Sequence, residues 1–221
     1  MPILSLTPPR VLRPILTTHD LNASHLLNRD LLTWWIAQPT QLHAPVVFDV
    51  LGRNHGTHFN MAVGAPQSGM GGTTRPGGMA QWNFDGTNDV IGNTKALRLG
   101  TANSLRTISL WAQLRAGTGS FVLMCLTDAN GSAANGVFIQ LITSTIQITS
   151  AGGGVLVASG FTPLVNQWFH IGYTWDGTTN AVYIDGRVQA TTTTAHQTGA
   201  TQFLWMGNYG TGVSQDWPGA L

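Results

Sequence analysis

The chain has 221 residues, with nine Arg, one Lys, nine Asp and no Glu, so its net charge is +1 and only 9% of its residues are charged. An ordinary soluble protein has roughly 25% charged residues, and without a basic cluster the sequence excludes nucleic acid and an anionic membrane surface as expected partners. No apolar run approaches the roughly 18 residues of a membrane-spanning helix, and the single cysteine excludes an internal disulfide.

The first 29 residues are predicted to form an extended arm. Proline at positions 2, 8, 9 and 14 favours extended backbone, and the apolar residues between these prolines follow no helical or strand period. The arm is too apolar for a solvated tail, so we expect it to anchor the protein to an assembly. The residues assigned to this anchoring role are Pro8, Arg10, Arg13 and Pro14.

From residue 30 to residue 221 the sequence consists of short β-type runs separated by Gly, Asn and Asp. About a dozen such runs, with no convincing helical window, predict an all-β antiparallel sandwich or barrel. The predicted strands are Leu31–Ile36, Val46–Val50, Met79–Phe84, Ser104–Leu114, Ser120–Leu126, Gly136–Ile142, Thr145–Ser150, Gln167–Trp175, Ala181–Ile184, Arg187–Ala190 and Gln202–Met206.

Asp-Gly pairs mark several turns between these strands. Asp185-Gly186 suits a type I′ hairpin, because both central residues of that turn need positive φ, and Asp176-Gly177 opens a similar loop. The two turns join three strands into a meander. Asp85-Gly86 is predicted to make a third turn, in which Asn88-Asp89 either stabilises the turn or offers oxygen atoms to a metal ion.

The strand Thr107–Leu114 has two distinct faces. Alternation places Ile108, Leu110, Ala112 and Leu114 on one side, and the other side carries Thr107, Ser109, Trp111 and Gln113. Trp111 therefore shares a face with small polar residues, and its ring is either covered by a second packed layer or exposed. Trp34-Trp35 and Trp175 are expected to pack inside, and Cys125 is expected to be a buried thiol.

Five segments resemble a known family by their order along the chain. They are Asp49–Thr57 (DVLGRNHGT), Phe84–Asp89 (FDGTND), Thr107–Leu114 (TISLWAQL), Gln167–Val188 (QWFHIGYTWDGTTNAVYIDGRV) and Phe203–Gly210 (FLWMGNYG). This ordered set resembles the laminin-G-like domains of the concanavalin A-like lectin/glucanase superfamily, and the resemblance covers residues 31–221. It implies a concanavalin A-like jelly-roll sandwich that follows the N-terminal arm.

One departure from the family pattern concerns Pro218–Leu221. The family sequence continues beyond such a segment into a closing strand, which is missing from this sequence. Either the sequence is incomplete, or the N-terminal arm or another subunit fills that position, because an unpaired strand edge invites aggregation.

The leader resembles a narrower group of proteins. Leu6–Leu16 (LTPPRVLRPIL) followed by His25–Trp35 (HLLNRDLLTWW) is similar to the start of laminin-G-like proteins encoded by tailed bacteriophages. This resemblance implies a structural protein at the virion surface, either a capsid decoration or a tail or head fibre subunit. Its expected partners are a capsid or tail protein and further copies of itself. The alternative is a secreted or cell-surface carbohydrate-binding adhesin module that belongs to a longer chain.

Catalytic motifs are missing from the sequence. A glucanase of this superfamily would use paired carboxylates, typically two Glu flanking an Asp, held about 5 Å apart. The chain has no Glu and no Asp-x-Asp, so we predict that it is not an enzyme. His55 and His58 have the i, i+3 spacing of zinc ligands, but no third ligand is close in sequence, which favours a structural role.

Two kinds of ligand remain as expectations. The resemblance implies a calcium ion at the rim of the sandwich, bound by hard oxygen ligands. The candidate ligands are Asp85, Asn88, Asp89, Asp128 and Asp216. Weak glycan binding would need an exposed aromatic ring close to polar side chains. The candidates for this role are Trp82, Tyr209 and Trp217, with Trp111 as a further one.

Overall fold

The computed structural model describes residues 31–37, 46–61, 69–71, 80–93, 95–98, 105–115, 119–127, 136–150, 154–195, 201–209 and 215–221. No helix in this described part of the chain has the length and apolar character needed to cross a membrane. The arm over residues 1–29, with Pro8, Arg10, Arg13 and Pro14, lies outside the described residues. The domain boundary at residue 30 therefore stays a prediction.

Sixteen β-strands form the described residues into two sheets. They are β1 (Val46–Val47), β2 (Gly56–Phe59), β3 (Gly69–Gly71), β4 (Gln81–Asp85), β5 (Val90–Asn93), β6 (Leu97–Arg98), β7 (Arg106–Leu114), β8 (Phe121–Thr127), β9 (Val137–Ile142), β10 (Thr145–Ser150), β11 (Val155–Ala158), β12 (Trp168–Trp175), β13 (Asn180–Ile184), β14 (Arg187–Thr192), β15 (Thr201–Met206) and β16 (Pro218–Ala220).

The two sheets form a sandwich. One sheet has nine strands in the order β1-β2-β5-β15-β8-β9-β10-β11, with β6 also pairing with β15, and the other has seven in the order β14-β13-β12-β7-β16-β4-β3. The strand pairs that build these sheets are antiparallel. The all-β sandwich predicted from the sequence is therefore confirmed.

Alternating apolar side chains fill the space between the sheets. On the seven-stranded sheet, Phe169, Ile171, Tyr173 and Trp175 of β12 point inward, which reflects the burial pattern of every second residue. They meet the inward residues of the nine-stranded sheet in one continuous core. Trp175 lies inside, as predicted.

The Asp-Gly turns have the predicted geometry. Asp185 and Gly186 have φ values of 50° and 77°, as a type I′ hairpin requires. Gly86 and Gly177 also adopt positive φ, where only glycine avoids a steric penalty. These turns hold β12, β13 and β14 as a meander, which sets the seven-stranded sheet behind the site described below.

The segment Leu31–Ile36 is not a strand, contrary to the prediction. Trp35 makes only an isolated bridge to Asp49, and the Trp34 carbonyl oxygen accepts one backbone hydrogen bond, from the Val50 N–H at 2.9 Å. The Asp49 carboxylate binds one donor of this segment in place of a backbone oxygen. Its Oδ1 accepts from the Trp34 N–H at 2.7 Å, and its Oδ2 accepts from the Asn54 N–H at 2.9 Å. The Asp49 side chain binds both the segment around Trp34 and the segment around Asn54, where alternation alone predicted a regular strand ladder.

Pro218–Ala220, at the end of the sequence, forms the short strand β16 between β4 and β7. The following residue, Leu221, exchanges two backbone hydrogen bonds with Trp82, at 3.0 and 3.1 Å. These residues therefore join the two halves of the seven-stranded sheet. The longer closing strand that the family pattern predicts stays a prediction.

Candidate ligand-binding face

The outer face of the seven-stranded sheet carries the one exposed tryptophan of the described residues that lies on a strand. Trp111 on β7 points away from the core and is 38% exposed. Its inward neighbours Ala112 and Leu110 belong to or pack against the core, as the sequence alternation requires. The sequence left open whether the Trp111 ring is covered by a second packed layer or exposed, and the structure shows that it is exposed.

His170 stands beside Trp111 on the neighbouring strand β12. The two residues are paired in register, and their rings meet edge to face with centroids 5.3 Å apart. A hydrogen bond of 2.8 Å joins His170 Nε2 to Ser109 Oγ, one position further along the same face of β7. This bond holds the imidazole against the Trp111 ring, so the aromatic surface is ordered before any ligand arrives.

The His170 imidazole is held mainly neutral near pH 7. Partial burial lowers its pKa below the ordinary value of 6.5, although the nearby Asp185 carboxylate acts in the opposite direction. Asp185 Oδ1 also accepts a 2.8 Å hydrogen bond from the His170 N–H, which fixes the backbone at this end of β12. A neutral imidazole offers one donor and one acceptor, a pairing that suits a hydroxyl group.

The face continues across the sheet beyond Ser109. Ser109 lies opposite Gly172, and Gly172 lies opposite Tyr183 on β13. The half-buried Tyr183 ring packs close to Gly172, where a side chain would crowd it. Together these residues make a surface with hydroxyl groups and three aromatic rings, those of Trp111, His170 and Tyr183. We call it the Trp111 face, and it consists of Thr107, Ser109, Trp111, His170, Gly172 and Tyr183.

Buried polar side chains border the Trp111 face on the side of β16 and β4. Asn83 Oδ1 accepts hydrogen bonds from Gln81 Nε2, at 2.8 Å, and from the Arg115 guanidinium. Gln113 Nε2 donates to the Asn166 carbonyl oxygen at 3.0 Å. Burial lowers the pKa of Arg115, although an arginine stays charged in a protein. This network fixes the sheet beside Trp111 and places a cation near its border.

The other three aromatic residues predicted to bind glycan lie outside the Trp111 face. Trp217 and Trp82 are 0% and 3% exposed and belong to the core, so neither ring can stack on a sugar in this conformation. Tyr209 is half-buried and packs edge to face against Phe138, with ring centroids 5.8 Å apart, on the nine-stranded sheet. We therefore leave Trp82 and Trp217 out of the proposed site, because their burial serves the core.

The carboxylates predicted to bind calcium are engaged with the chain itself. Asp89 Oδ2 accepts from the Asp85 N–H at 2.9 Å, and Asp85 Oδ1 accepts from the Thr87 N–H at 2.8 Å, so both stabilise the Asp85-Gly86 turn. The exposed Asn88 accepts a hydrogen bond from Asn60 Nδ2 at its backbone oxygen. Of the two roles left open for Asn88-Asp89, turn stabilisation is observed for Asp89.

Asp216 lies close to this turn. Burial raises its pKa above the ordinary range, and the Asp85 charge adds to the effect, whereas a 2.8 Å hydrogen bond from Asn208 Nδ2 opposes it. No group of three or more His, Cys, Asp or Glu side chains that could hold a metal ion occurs among the described residues. Asp128 lies outside the described residues, and the calcium site stays a prediction.

His55 and His58 occupy different surroundings. His55 Nδ1 accepts from the Asp49 N–H at 3.2 Å, and the His55 ring meets Phe48 edge to face. His58 lies on β2 opposite Ile91, where burial lowers its pKa. The two histidines thus contribute to separate contacts, and the structural role predicted for them stays a prediction.

This architecture is similar to that of a known protein family. A family model described as concanavalin A-like lectin/glucanases superfamily matches residues 84–221. A comparison with curated proteins found no significant match.

Solved structures of similar fold include the following two. One is domain 4 of AbnA, a GH43 extracellular arabinanase from Geobacillus stearothermophilus, in complex with arabinotriose. It has a TM-score of 0.59 and 16% identity, over 86% of this chain and 90% of that one. The other is Trypanosoma rangeli sialidase in complex with 2,3-difluorosialic acid, with a TM-score of 0.56 and 12% identity. That match covers 85% of this chain and 29% of the sialidase chain. At these identities the likeness concerns the fold.

Proposed function

Since the chain belongs to the concanavalin A-like lectin/glucanases superfamily, we propose that it is a carbohydrate-binding domain whose sugar platform is the Trp111 face. The observation that carries the proposal is the Trp111 ring itself, exposed on a sheet face and bordered by the hydrogen-bonded pair Ser109 and His170. A pyranose or furanose ring has an apolar face that stacks on an aromatic ring, and its hydroxyl groups bind adjacent polar side chains.

The ligand class is a neutral oligosaccharide. Sugar hydroxyl groups would meet uncharged partners on this face. These are the mainly neutral His170 imidazole, the Ser109 hydroxyl and the half-buried Tyr183. The Geobacillus stearothermophilus domain of similar fold was solved with arabinotriose, which supports a short neutral oligosaccharide as the first ligand to test. A shallow face with one central ring favours weak binding to a single site, so several copies would be needed for high avidity.

The proposed domain binds sugar without cleaving it. Glycoside hydrolysis uses one carboxyl group as acid and a second as nucleophile or base, on opposite sides of the bond. One carboxylate, Asp185, borders the Trp111 face beside His170, among the described residues no second one is paired with it there, and the full sequence has no Glu. Asp85 and Asp216 interact electrostatically, but they belong to the turn and strand end at β4 and β16, away from the outer aromatic ring.

Affinity electrophoresis of the full chain tests the proposal. The probes are gels containing arabinan, xylan or mixed-linkage β-glucan, followed by calorimetric titration with arabinotriose. We expect at least one polysaccharide to retard the wild-type protein, and Trp111→Ala to raise the dissociation constant about tenfold, which corresponds to about 1.4 kcal/mol. Phe48→Ala is the matched control, because Phe48 is also an exposed aromatic residue but lies far from this face in the fold.

Three results would count against the proposal. If no polysaccharide retards the wild-type protein, carbohydrate binding fails as the function. If Trp111→Ala and Phe48→Ala weaken binding equally, the Trp111 face is not the site. Release of reducing sugar from a bound polysaccharide would contradict the non-catalytic assignment.

A second proposal concerns the setting in which the domain works. The resemblance of Leu6–Leu16 and His25–Trp35 to phage proteins, and the charged fraction of 9%, support display of several copies at a virion surface, anchored to a capsid or tail protein. The alternative setting is a cell-surface or secreted adhesin. Genes for capsid or tail proteins beside this one would support the virion, and a longer reading frame with an export signal would support the adhesin.

A further inference from the structure

Tyr183 lies on the same face of the sheet as Trp111, two strands away. It pairs with Gly172 on β12, and Gly172 pairs with Ser109 on β7, so the three residues form one row across the sheet. Residues paired directly across antiparallel strands point to the same face. The row ends at Val188 on β14, which pairs with Tyr183 and is 56% exposed. The Trp111 face therefore extends to an apolar surface on β13 and β14.

Gly172 leaves the surface beside the Tyr183 ring without a side chain. Its pairing with Ser109 and Tyr183 follows the regular register of both neighbouring strands, so no bulge at this position requires glycine. A Cβ atom here would lie 3.3 Å from Tyr183 Cβ and 3.6 Å from Tyr183 Cδ2, so the edge of the tyrosine ring occupies the space beside the glycine. Glycine inside a strand often marks a place where a ligand approaches the backbone closely.

The Trp111 and Tyr183 positions are too far apart for a single sugar to contact both rings. Strand β12 separates β7 from β13, so these two strands lie roughly 9.6 Å apart. Trp111 is two residues away from Ser109, which is roughly 6.8 Å along β7. The Trp111 and Tyr183 Cα atoms are therefore roughly 12 Å apart. A ligand that bridges them would cross β12 between His170 and Gly172.

We propose that the Tyr183 ring is a second sugar-stacking position, so that the domain binds an oligosaccharide that runs across the strands from Trp111 to Tyr183. This inference rests on the proposed carbohydrate-binding function and adds the length and the direction of the ligand. The Ser109 hydroxyl and the His170 imidazole line the path, and they offer hydrogen bonds to the sugar hydroxyl groups. Val188 extends the apolar surface beyond Tyr183.

Gly172 is the residue that determines whether a long ligand fits. The path from Trp111 to Tyr183 crosses β12 beside this glycine, where only backbone lies under the ligand. A side chain at position 172 would stand on the outer face and obstruct the crossing, and it would also crowd the Tyr183 ring. A monosaccharide stacked on Trp111 does not reach this crossing, so the obstruction should affect only longer ligands.

Titration of the full chain with a monosaccharide and a trisaccharide tests the proposal. The probes correspond to the polysaccharide that retards the wild-type protein: arabinose with arabinotriose, xylose with xylotriose, or glucose with a β-glucan trisaccharide. Tyr183→Ala should raise the dissociation constant for the trisaccharide about fivefold, because one stacking contact is lost. It should leave the dissociation constant for the monosaccharide unchanged, whereas Trp111→Ala should weaken the binding of both.

Three further variants connect the effect to the ring and to its position. Tyr183→Phe keeps the ring and should bind the trisaccharide as the wild type does. Gly172→Val should weaken trisaccharide binding as much as Tyr183→Ala and leave monosaccharide binding unchanged. Tyr209→Ala is the matched control, because Tyr209 is also a half-buried tyrosine but packs against Phe138 on the nine-stranded sheet. Urea denaturation shows that each variant is folded.

The outcomes separate this inference from the proposed function. A loss of trisaccharide binding in Tyr183→Ala, with unchanged monosaccharide binding, supports the second stacking position. If Trp111→Ala weakens binding but Tyr183→Ala binds the trisaccharide as tightly as the wild type, the second position is overturned and the proposed function stands. Equal losses in Tyr183→Ala and Tyr209→Ala, or in Tyr183→Ala and Tyr183→Phe, would also overturn the stacking role. If the wild-type protein binds no carbohydrate, both proposals fail together.

Discussion

The outer faces of the two sheets differ in what they expose. On the nine-stranded sheet, Trp205, Cys125 and Phe138 stand side by side on β15, β8 and β9, and with Val90 and Val122 they form a second buried apolar cluster. Phe59, Phe203 and Tyr209 pack against it. We call this surface the Trp205 face. On the seven-stranded sheet, the Trp111 face has an exposed ring among hydroxyl groups.

The difference shows that a tryptophan on an outward strand position can serve two purposes. Trp205 lies against Gly92, where even a Cβ atom would come within 2.3 Å of the ring, and is 3% exposed. Trp111 has Ser109 and His170 as neighbours and keeps one side of its ring open. The first ring stabilises the fold, and the second is available to a ligand.

The largest expected effect is on the stability of the Trp205 face. Trp205→Ala should lower the free energy of unfolding by about 3 to 5 kcal/mol, because a fully buried aromatic ring is removed from a packed cluster. Trp111→Ala should lower it by less than about 1 kcal/mol, since the exposed ring has few buried contacts. Urea denaturation followed by circular dichroism measures both. Equal losses for the two variants would remove the distinction between the faces.

A smaller effect concerns the pH dependence of stability. Burial lowers the pKa of both His58 and His170, and only His170 has a nearby carboxylate, Asp185, that acts against the shift. The unfolded chain therefore binds more protons below the ordinary pKa of 6.5. Stability is fully present above that pH and falls as the pH drops toward the lowered folded-state pKa.

The two histidines should contribute unequally to that loss. His58→Gln should flatten the decline in stability between pH 7 and pH 5 more than His170→Gln does, because the Asp185 charge reduces the shift at His170. Denaturant titrations at several pH values measure the decline. If stability declines less steeply with falling pH in His170→Gln than in His58→Gln, the surroundings of His170 on the Trp111 face are less solvated than those of His58.

The smallest effect is a difference in thiol reactivity. Cys125 is fully buried, and burial raises its pKa well above the ordinary value, so it should react with a disulfide reagent at pH 8 only after unfolding. Ser109→Cys would place a thiol on the exposed Trp111 face and should react within seconds to minutes in the folded state. Rapid reaction of Cys125 in the native wild type would mean that the Trp205 face opens readily.

Much of the fold could be predicted because local signals agree with it. The alternation in Thr107–Leu114 predicted the inward and outward sides of β7, and the Asp-Gly pairs predicted the turns of the β12 to β14 meander. Both signals depend on neighbours within a few residues. The prediction of a strand at Leu31–Ile36 was wrong for the opposite reason, because the Trp34 N–H donates to the side chain of Asp49, which is 15 positions away in the sequence.

The candidate site could be predicted only in part from the sequence. Trp111 was one of four candidate aromatic residues, and alternation placed it on the polar side of β7 without deciding whether its ring is exposed. His170 was missed, although the alternation in Trp168–Trp175 places it on the polar side of β12. Its partnership with Ser109 spans 61 positions and depends on how β7 and β12 are aligned.

The sequence by itself determined an all-β sandwich with Asp-Gly turns, a low charged fraction and no glutamate for catalysis, because composition and short-range periodicity carry that information. Only the tertiary structure decided which tryptophans are buried, that Asp89 belongs to a turn, and that Trp111 and His170 stand side by side on one outer face. Burial and strand pairing depend on residues far apart in the chain, and their positions are fixed only when the two sheets pack together.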